Sequence, residues 1–453
     1  MSARTAVEKP VLITNARIVN EGREFHGDVL IRNGRIDKIA PRISGAPGVV
    51  IDAQGKLLIP GMIDDQVHFR EPGLTHKGNI ASETSAAVAG GITSVMEMPN
   101  TNPTTTTRER LEDKYALAAG KARTNYAFYF GAANDNAEEI AALPPGVACA
   151  IKIFMGASTG NMLVDDPKTL DRIFSSAQIP VVTHCEDTPT IKRNEEAERA
   201  RWGDAIPAYM HPRIRSEEAC WLSTRLAVGL AKRHGTSLHV LHLTTARELE
   251  FFTPGPVLGK QITVEACVHH LFFDESDYAA LGTLIKCNPA IKTAADRRAL
   301  VAAVMADRID VIATDHAPHT AEEKANPSYF KAPSGLPLVQ HALPALFELV
   351  RRGELDLHTL VRKTSHAVAQ RFGVVDRGYI REGYWADLTL IDTDTPTRVD
   401  RRGLYYKCGW SPFEGHTFPI RIDTTWVNGD IAYRNGAVGA KPLGRRLNFA
   451  LKR

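Results

Sequence analysis

The sequence has no surplus of charge of either sign: 55 Lys+Arg face 52 Asp+Glu, a formal net charge of +3. That balance excludes the basic excess of a nucleic-acid binder or a polybasic membrane-surface protein. Long apolar runs are missing as well. Nothing approaches the roughly 18 consecutive apolar residues of a membrane span. The opening MSARTAVEKPVLITNARIVN has no apolar stretch of the ~7–15 residues that mark a signal peptide. The six cysteines, at 149, 185, 220, 267, 287 and 408, form no C-x-x-C pair and no cluster. A secreted disulfide framework and a thiolate zinc ribbon are thereby excluded. What is there is 453 residues with 43 % hydrophobic content, too apolar for disorder and enough for one large barrel with an accessory domain or for two to three smaller domains. The expectation is a cytoplasmic protein that acts on a small molecule, with no nucleic-acid or membrane partner.

Both ends of the chain read as short strands. VLITNARIVN and DVLIRNGRIDKIA flank Asn33-Gly34, and ADLTLIDTD and TTWVNGDIAYRNGAV carry Asn428-Gly429 and Asn435-Gly436. Asn-Gly pairs suit type I′ hairpin turns, which need positive φ at both central residues. The two ends, 1–57 and 384–453, are expected to build one small β-sandwich domain. The middle, 58–383, alternates. Eight apolar β-rich runs begin at 62, 92, 125, 148, 179, 238, 262 and 310, separated by segments of helical spacing such as SEEACWLSTRLAVGLAKRHG. Eight strand–helix units predict an α/β fold, a (β/α)8 TIM-like barrel with insertions.

Such barrels place their active sites at the C-terminal ends of the strands. The first run ends in Gln66-Val67-His68-Phe69-Arg70, the fourth carries Lys152, the fifth ends at His184, the sixth at His242 and the eighth at Asp315. One such residue is unremarkable. Several imidazole and charged groups converging on a buried mouth are costly unless they pair or hold a metal. Strand alternation puts Gln66, His68 and Arg70 on one face and Asp65, Val67 and Phe69 on the other. By the same rule His239 should turn away from the centre if His242 faces it, and His269 and His270 cannot both face it.

The motifs PGMIDDQVHFREPG (60–73), MPNTNP (98–103), KIFMGASTG (152–160), VVTHCED (181–187), HVLHLTT (239–245), KCNPAIK (286–292), TDHAPHTAEEK (314–324) and SPFEGH (411–416) resemble the amidohydrolase superfamily. Within it they resemble the dihydroorotases, over nearly the whole chain. FREPG, PNTNP and DHAPHT carry the finer likeness; an allantoinase-like or hydantoinase-like chain is expected to differ at Arg70. The resemblance implies reversible hydrolysis of the cyclic amide of L-dihydroorotate to N-carbamoyl-L-aspartate, a step of pyrimidine biosynthesis. It implies zinc, one or two ions per chain, bridged by a carboxylated Lys152. His184 and His242 would hold the more exposed ion, and His68 and Asp315 the more buried one. Asp315 would also serve as the catalytic base and acid. Arg70, Asn100 and His319 would bind the substrate carboxylate, and Asn288 would line the pocket. The departure is Gln66, which stands where the superfamily has the first His of His-x-His. A neutral amide oxygen is a weaker zinc donor than imidazole, so Gln66 lines the site without being assigned as a ligand. The segment 319–335 is a candidate mobile loop. The alternatives are another cyclic-amide hydrolase, of hydantoinase or allantoinase type, or an inactive dihydroorotase-like partner of aspartate transcarbamoylase. Candidate partners are a second copy of the chain and that transcarbamoylase.

Overall fold

The structure, a computed structural model, describes residues 9–45, 48–156 and 162–450. Eight parallel strands form the barrel: β1 (Met62–Val67), β2 (Ile92–Glu97), β3 (Asn125–Phe128, resuming at Phe130–Gly131), β4 (Ile151–Phe154), β5 (Val181–His184), β6 (Leu238–Val240), β7 (Ile262–Cys267) and β8 (Val311–Ala313). Each pairs with the next in order. A parallel bridge between Val67 and His316 closes the ring, with the His68 N–H donating to the His316 carbonyl at 2.7 Å. All eight runs marked in the sequence become strands. They are buried on both faces, as strands covered by outer helices must be.

The helices start where the sequence supplies a cap. The side chains of Asn79, Thr107, Ser216 and Thr293 each accept a backbone N–H at the start of helices Ile80–Ala89, Arg108–Ala118, Glu217–His234 and Ala294–Met305. Helix Glu217–His234 stops at Gly235, whose φ of 72° closes it in the left-handed region. Among the described residues no helix is long and apolar enough to cross a membrane. Helix Ala367–Phe372 covers the end of the barrel away from the site, with Val368 and Phe372 packed among Ile63, Tyr129, Val182 and Leu241.

Both ends of the chain join in one nine-stranded sheet. Leu57–Pro60 is the seam: it runs parallel to Val11–Asn20 and antiparallel to Leu388–Asp392. Ile13, Ile18, Val29, Ile31 and Ile36 share a core with Leu388, Leu390 and Trp426. The Asn33-Gly34, Asn428-Gly429 and Asn435-Gly436 turns all take positive φ at both residues. Gly34 and Gly429 meet turn against turn, and a Cβ on Gly34 would lie 2.6 Å from the Asn428 carbonyl oxygen. The architecture is therefore the expected barrel with a β layer contributed by both ends.

Candidate active site

A cavity of about 620 Å³ opens at the C-terminal ends of the strands. Its lining includes Gln66, His68, Arg70, Asn100, Lys152, His184, His242, Asn288, Asp315 and His319, which are all the site residues expected from the sequence. Arg70 (φ 70°), His242 (φ 40°) and Asp315 (φ 49°) stand in the left-handed region just past their strands. An Asp tolerates that backbone; an Arg or His there is uncommon and belongs to places where surrounding structure imposes the conformation.

Two pairs of donor atoms face each other across the cavity floor. His68 Nε2 lies 3.1 Å from Asp315 Oδ1, and His184 Nδ1 lies 3.0 Å from His242 Nε2. Neighbours fix the rings. His68 Nδ1–H donates to Asn100 Oδ1 at 2.8 Å, which leaves the Nε2 lone pair facing an Asp315 oxygen. His184 Nε2–H donates to Glu186 Oε2 at 3.0 Å, which leaves Nδ1 facing His242. The His68/Asp315 pair aims an acceptor at an acceptor and wants a cation between them; His184 and His242 offer a second pair of ligand nitrogens, and a carboxylate or carbonyl behind a histidine is how ligating imidazoles are oriented. Burial pulls the pKa of His68, His184 and His242 below the ordinary histidine value, so all three are held in the neutral, ligand-competent form. Burial also tends to raise the Glu186 carboxyl, but the ion pair with Arg215 and the His184 hydrogen bond outweigh it and hold it at about 2.

Lys152 is 1 % exposed, and burial lowers its pKa to about 8. Its Nζ sits 4.5 Å from the centre of the Phe154 ring. The residues therefore fit a divalent metal: neutral imidazoles, one carboxylate, and a lysine whose charge is disfavoured. Gln66 does not complete the set as a donor. Its Nε2 donates to Asp315 Oδ1 at 3.2 Å.

The other wall is cationic. Arg70 Nε donates to the Pro318 carbonyl at 3.0 Å, and its Nη2 lies 3.2 Å from His319 Nε2. Lys77 Nζ reaches His319 Nδ1 at 3.1 Å. Asn288 Oδ1 is buried without a hydrogen-bond partner among the described residues. Lys77 and Arg110 line the same cavity and were not expected from the sequence, nor was Glu186. The signal for Glu186 lay in the HCED run, two residues past His184. Segment 319–335 is pinned rather than loose. Lys324 Nζ donates to the Lys286 and Pro333 carbonyls, and Lys286 Nζ to the Ala332 carbonyl, while Ser334 and Gly335 line the cavity. The last part of the KIFMGASTG motif, 157–160, lies outside the described residues.

Two expectations from strand alternation are corrected. Asp65 does point away from Gln66, yet it still enters the barrel, because the β1–β2 register shifts between Asp64 and Val67. His239 also faces the interior, 3.5 Å from Asp65 Oδ2. The left-handed turn at His242 breaks the period after β6, so His239 and His242 are both directed inward. His269 and His270 fall on the short helix Val268–Phe272 rather than on a strand. Two further groups of metal-binding residue types result, Asp65/His239/Glu265 and Cys267/His269/His270, all buried.

Residues 57–432 match the Amidohydrolase family. The chain is 34 % identical to a dihydroorotase of Halobacterium salinarum over 418 residues, 90 % of this chain and 95 % of that one. It is 30 % identical to an allantoinase of Bacillus velezensis over 440 residues, 96 % of each. Among solved structures it superposes on L-hydantoinase (dihydropyrimidinase) from Arthrobacter aurescens with a TM-score of 0.91 at 26 % identity, covering 98 % of this chain and 100 % of that one. The chain belongs to the amidohydrolase family.

Proposed function

We propose that this cyclic-amide hydrolase is a dihydroorotase. The observation that carries the reading is the cationic wall: Arg70 and Lys77 converge on His319, in the same cavity as the His68/Asp315 and His184/His242 pairs. A ring substrate bearing a carboxylate satisfies both walls at once. Hydantoin, dihydrouracil and allantoin have no carboxylate for that wall. A buried guanidinium suits this recognition because its planar fork matches two carboxylate oxygens.

The proposed ligands are Lys152, His184 and His242, with His68 and Asp315 for a second ion, and zinc is the expected metal. Lys152 serves as a bridge if its neutral amine adds CO2, forming a carbamate and releasing one proton; burial favours that neutral amine. When bound, the metal lowers the pKa of water and polarises the ring carbonyl. Asp315 takes the proton of the attacking water as the C–O bond forms. It then gives that proton to the ring nitrogen as the C–N bond breaks, which yields N-carbamoyl-L-aspartate. Gln66 holds the Asp315 carboxylate through its amide N–H, and Asn100 holds the His68 ring. Arg70 and His319 fix the substrate carboxylate, so that the ring carbonyl meets Asp315 in one orientation.

Gln66 favours a second reading, a chain with an incomplete metal centre that serves as a partner of aspartate transcarbamoylase. Turnover of L-dihydroorotate by the isolated, zinc-supplemented chain separates the two. The dihydroorotase reading expects ring opening that is lost in Arg70→Met; absent turnover in the loaded chain would leave the partner role.

A further inference from the structure

We propose that Asp65, His239 and Glu265 form an additional divalent-metal site inside the barrel, one layer beneath the active-site cavity. The three residues come from β1, β6 and β7, so Asp65 reaches its partners across the barrel axis. All three are 0 % exposed, and their donor atoms lie within 4.8 Å of one another. None belongs to the ligand set discussed above.

The facing atoms of the cluster are left without a donor. His239 Nδ1 is 2.8 Å from Thr263 Oγ1, and that hydroxyl donates its own hydrogen to the Leu238 carbonyl. Thr263 therefore accepts from Nδ1–H, and Nε2 points at the carboxylates. Nε2 stands 3.5 Å from Asp65 Oδ2 and 3.9 Å from Glu265 Oε2. Both Asp65 oxygens, Glu265 Oε2 and His239 Nε2 lack any hydrogen-bond partner among the described residues. Nearby donors are spent elsewhere. The Tyr129 hydroxyl donates to the Asp65 backbone carbonyl, and the His242 N–H and Cys267 thiol both go to Glu265 Oε1. The buried Arg371 makes no ion pair with either carboxylate among the described residues.

Two buried carboxyl groups and an imidazole that face one another without hydrogen-bond donors are strongly unfavourable unless protons or a cation compensate them. One divalent ion makes the group neutral. Ligands at about 2.0–2.2 Å from a tetrahedral zinc are spaced by roughly 3.3–3.6 Å, and the His239 separations of 3.5 and 3.9 Å lie close to that. Thr263 behind His239, and the His242 N–H behind Glu265, would hold two of the ligands in place. Protons are the competing arrangement, since burial lowers His239 less than the neighbouring carboxyls raise it and burial raises Glu265 to about 7, but 3.5 and 3.9 Å are too long for the N–H···O bonds that would hold them. The O,O,N donor set suits zinc or manganese.

The site is tested by its metal content, independently of catalysis. Protein stripped with chelator and reloaded with zinc would be analysed for bound metal per chain, and its crystals for anomalous scattering at the zinc edge. The expected result is a zinc peak among Asp65, His239 and Glu265. Asp65→Asn and Asp65→Leu should each bind one zinc fewer per chain and keep any peak at His184 and His242. Asp65→Asn preserves shape and covers the case in which the Leu variant does not fold. A cluster without a peak at saturating zinc, or an unchanged zinc count in the variants, would overturn the proposal.

Discussion

Asp315 occupies a backbone conformation that few residues accept, with one oxygen already held by Gln66 and facing His68. Asn keeps the shape and tolerates the left-handed φ, but it cannot take a proton. Asp315→Asn should therefore lower ring-opening kcat by about 10²–10⁴-fold with an unchanged Tm; near-normal turnover would remove Asp315 from proton transfer. Gln66→His replaces an amide that donates to Asp315 with a lone pair, and metal bound per chain should rise, as read by elemental analysis. Arg70→Lys keeps the charge and loses the fork. A hydrogen bond to a charged group contributes about 1.5–3 kcal/mol, so kcat/KM for dihydroorotate should fall by roughly 10–150-fold. At this scale the sequence was most legible where a residue type names its own chemistry. His68, His184, His242, Lys152, Asp315, Arg70 and His319 all reached the cavity. Asn100 was only half legible: its carbonyl turns out to hold His68. Lys77 and Arg110 were not legible, because a long cationic side chain in a turn or at the start of a helix gives no sign in sequence of where it points.

The strands set which side chains share the cavity, and there simple alternation failed at two places. A register shift in β1 and a left-handed residue after β6 both break the period of two, so Asp65 and His239 enter the barrel. Neither irregularity has a glycine or proline to announce it. The hairpins were legible for the opposite reason: Asn-Gly states its turn type. Segment 319–335 shows the same limit. Its polar, punctuated composition suggested mobility, but two buried lysines tie it to carbonyl groups. Gly335 sits at φ 141°, where an added Cβ would lie 2.3 Å from the Ala317 carbonyl oxygen and 3.0 Å from the His319 ring. Gly335→Ala must displace that wall. Its KM for dihydroorotate should rise several-fold while metal content stays unchanged; an unaltered KM would show that the wall does not position substrate.

Across the whole molecule, burial holds imidazoles neutral outside the proposed ligand set as well as within it. Burial pulls His341 down to about 3 and His270 to about 4. In the unfolded chain each ring protonates near 6.5. Below that pH the unfolded state binds more protons than the folded one, so stability falls as pH drops from about 6.5. The loss approaches about 1.4 kcal/mol per pH unit for each ring. Urea unfolding at pH 7, 6 and 5 should show this decline, with a shallower slope in His341→Gln; parallel slopes would contradict it. The fold was legible at this scale because eight strand–helix units and two β-rich ends leave few other arrangements. Substrate choice was not, since it rests on one wall of one cavity. The direct measurement is hydrolysis by the zinc-loaded chain of L-dihydroorotate, hydantoin, dihydrouracil and allantoin, side by side, in the native sequence and in Arg70→Met. The account predicts that dihydroorotate is the preferred substrate and that Arg70→Met abolishes the preference. Preferred turnover of a ring without a carboxylate, or a preference untouched by Arg70→Met, would contradict it.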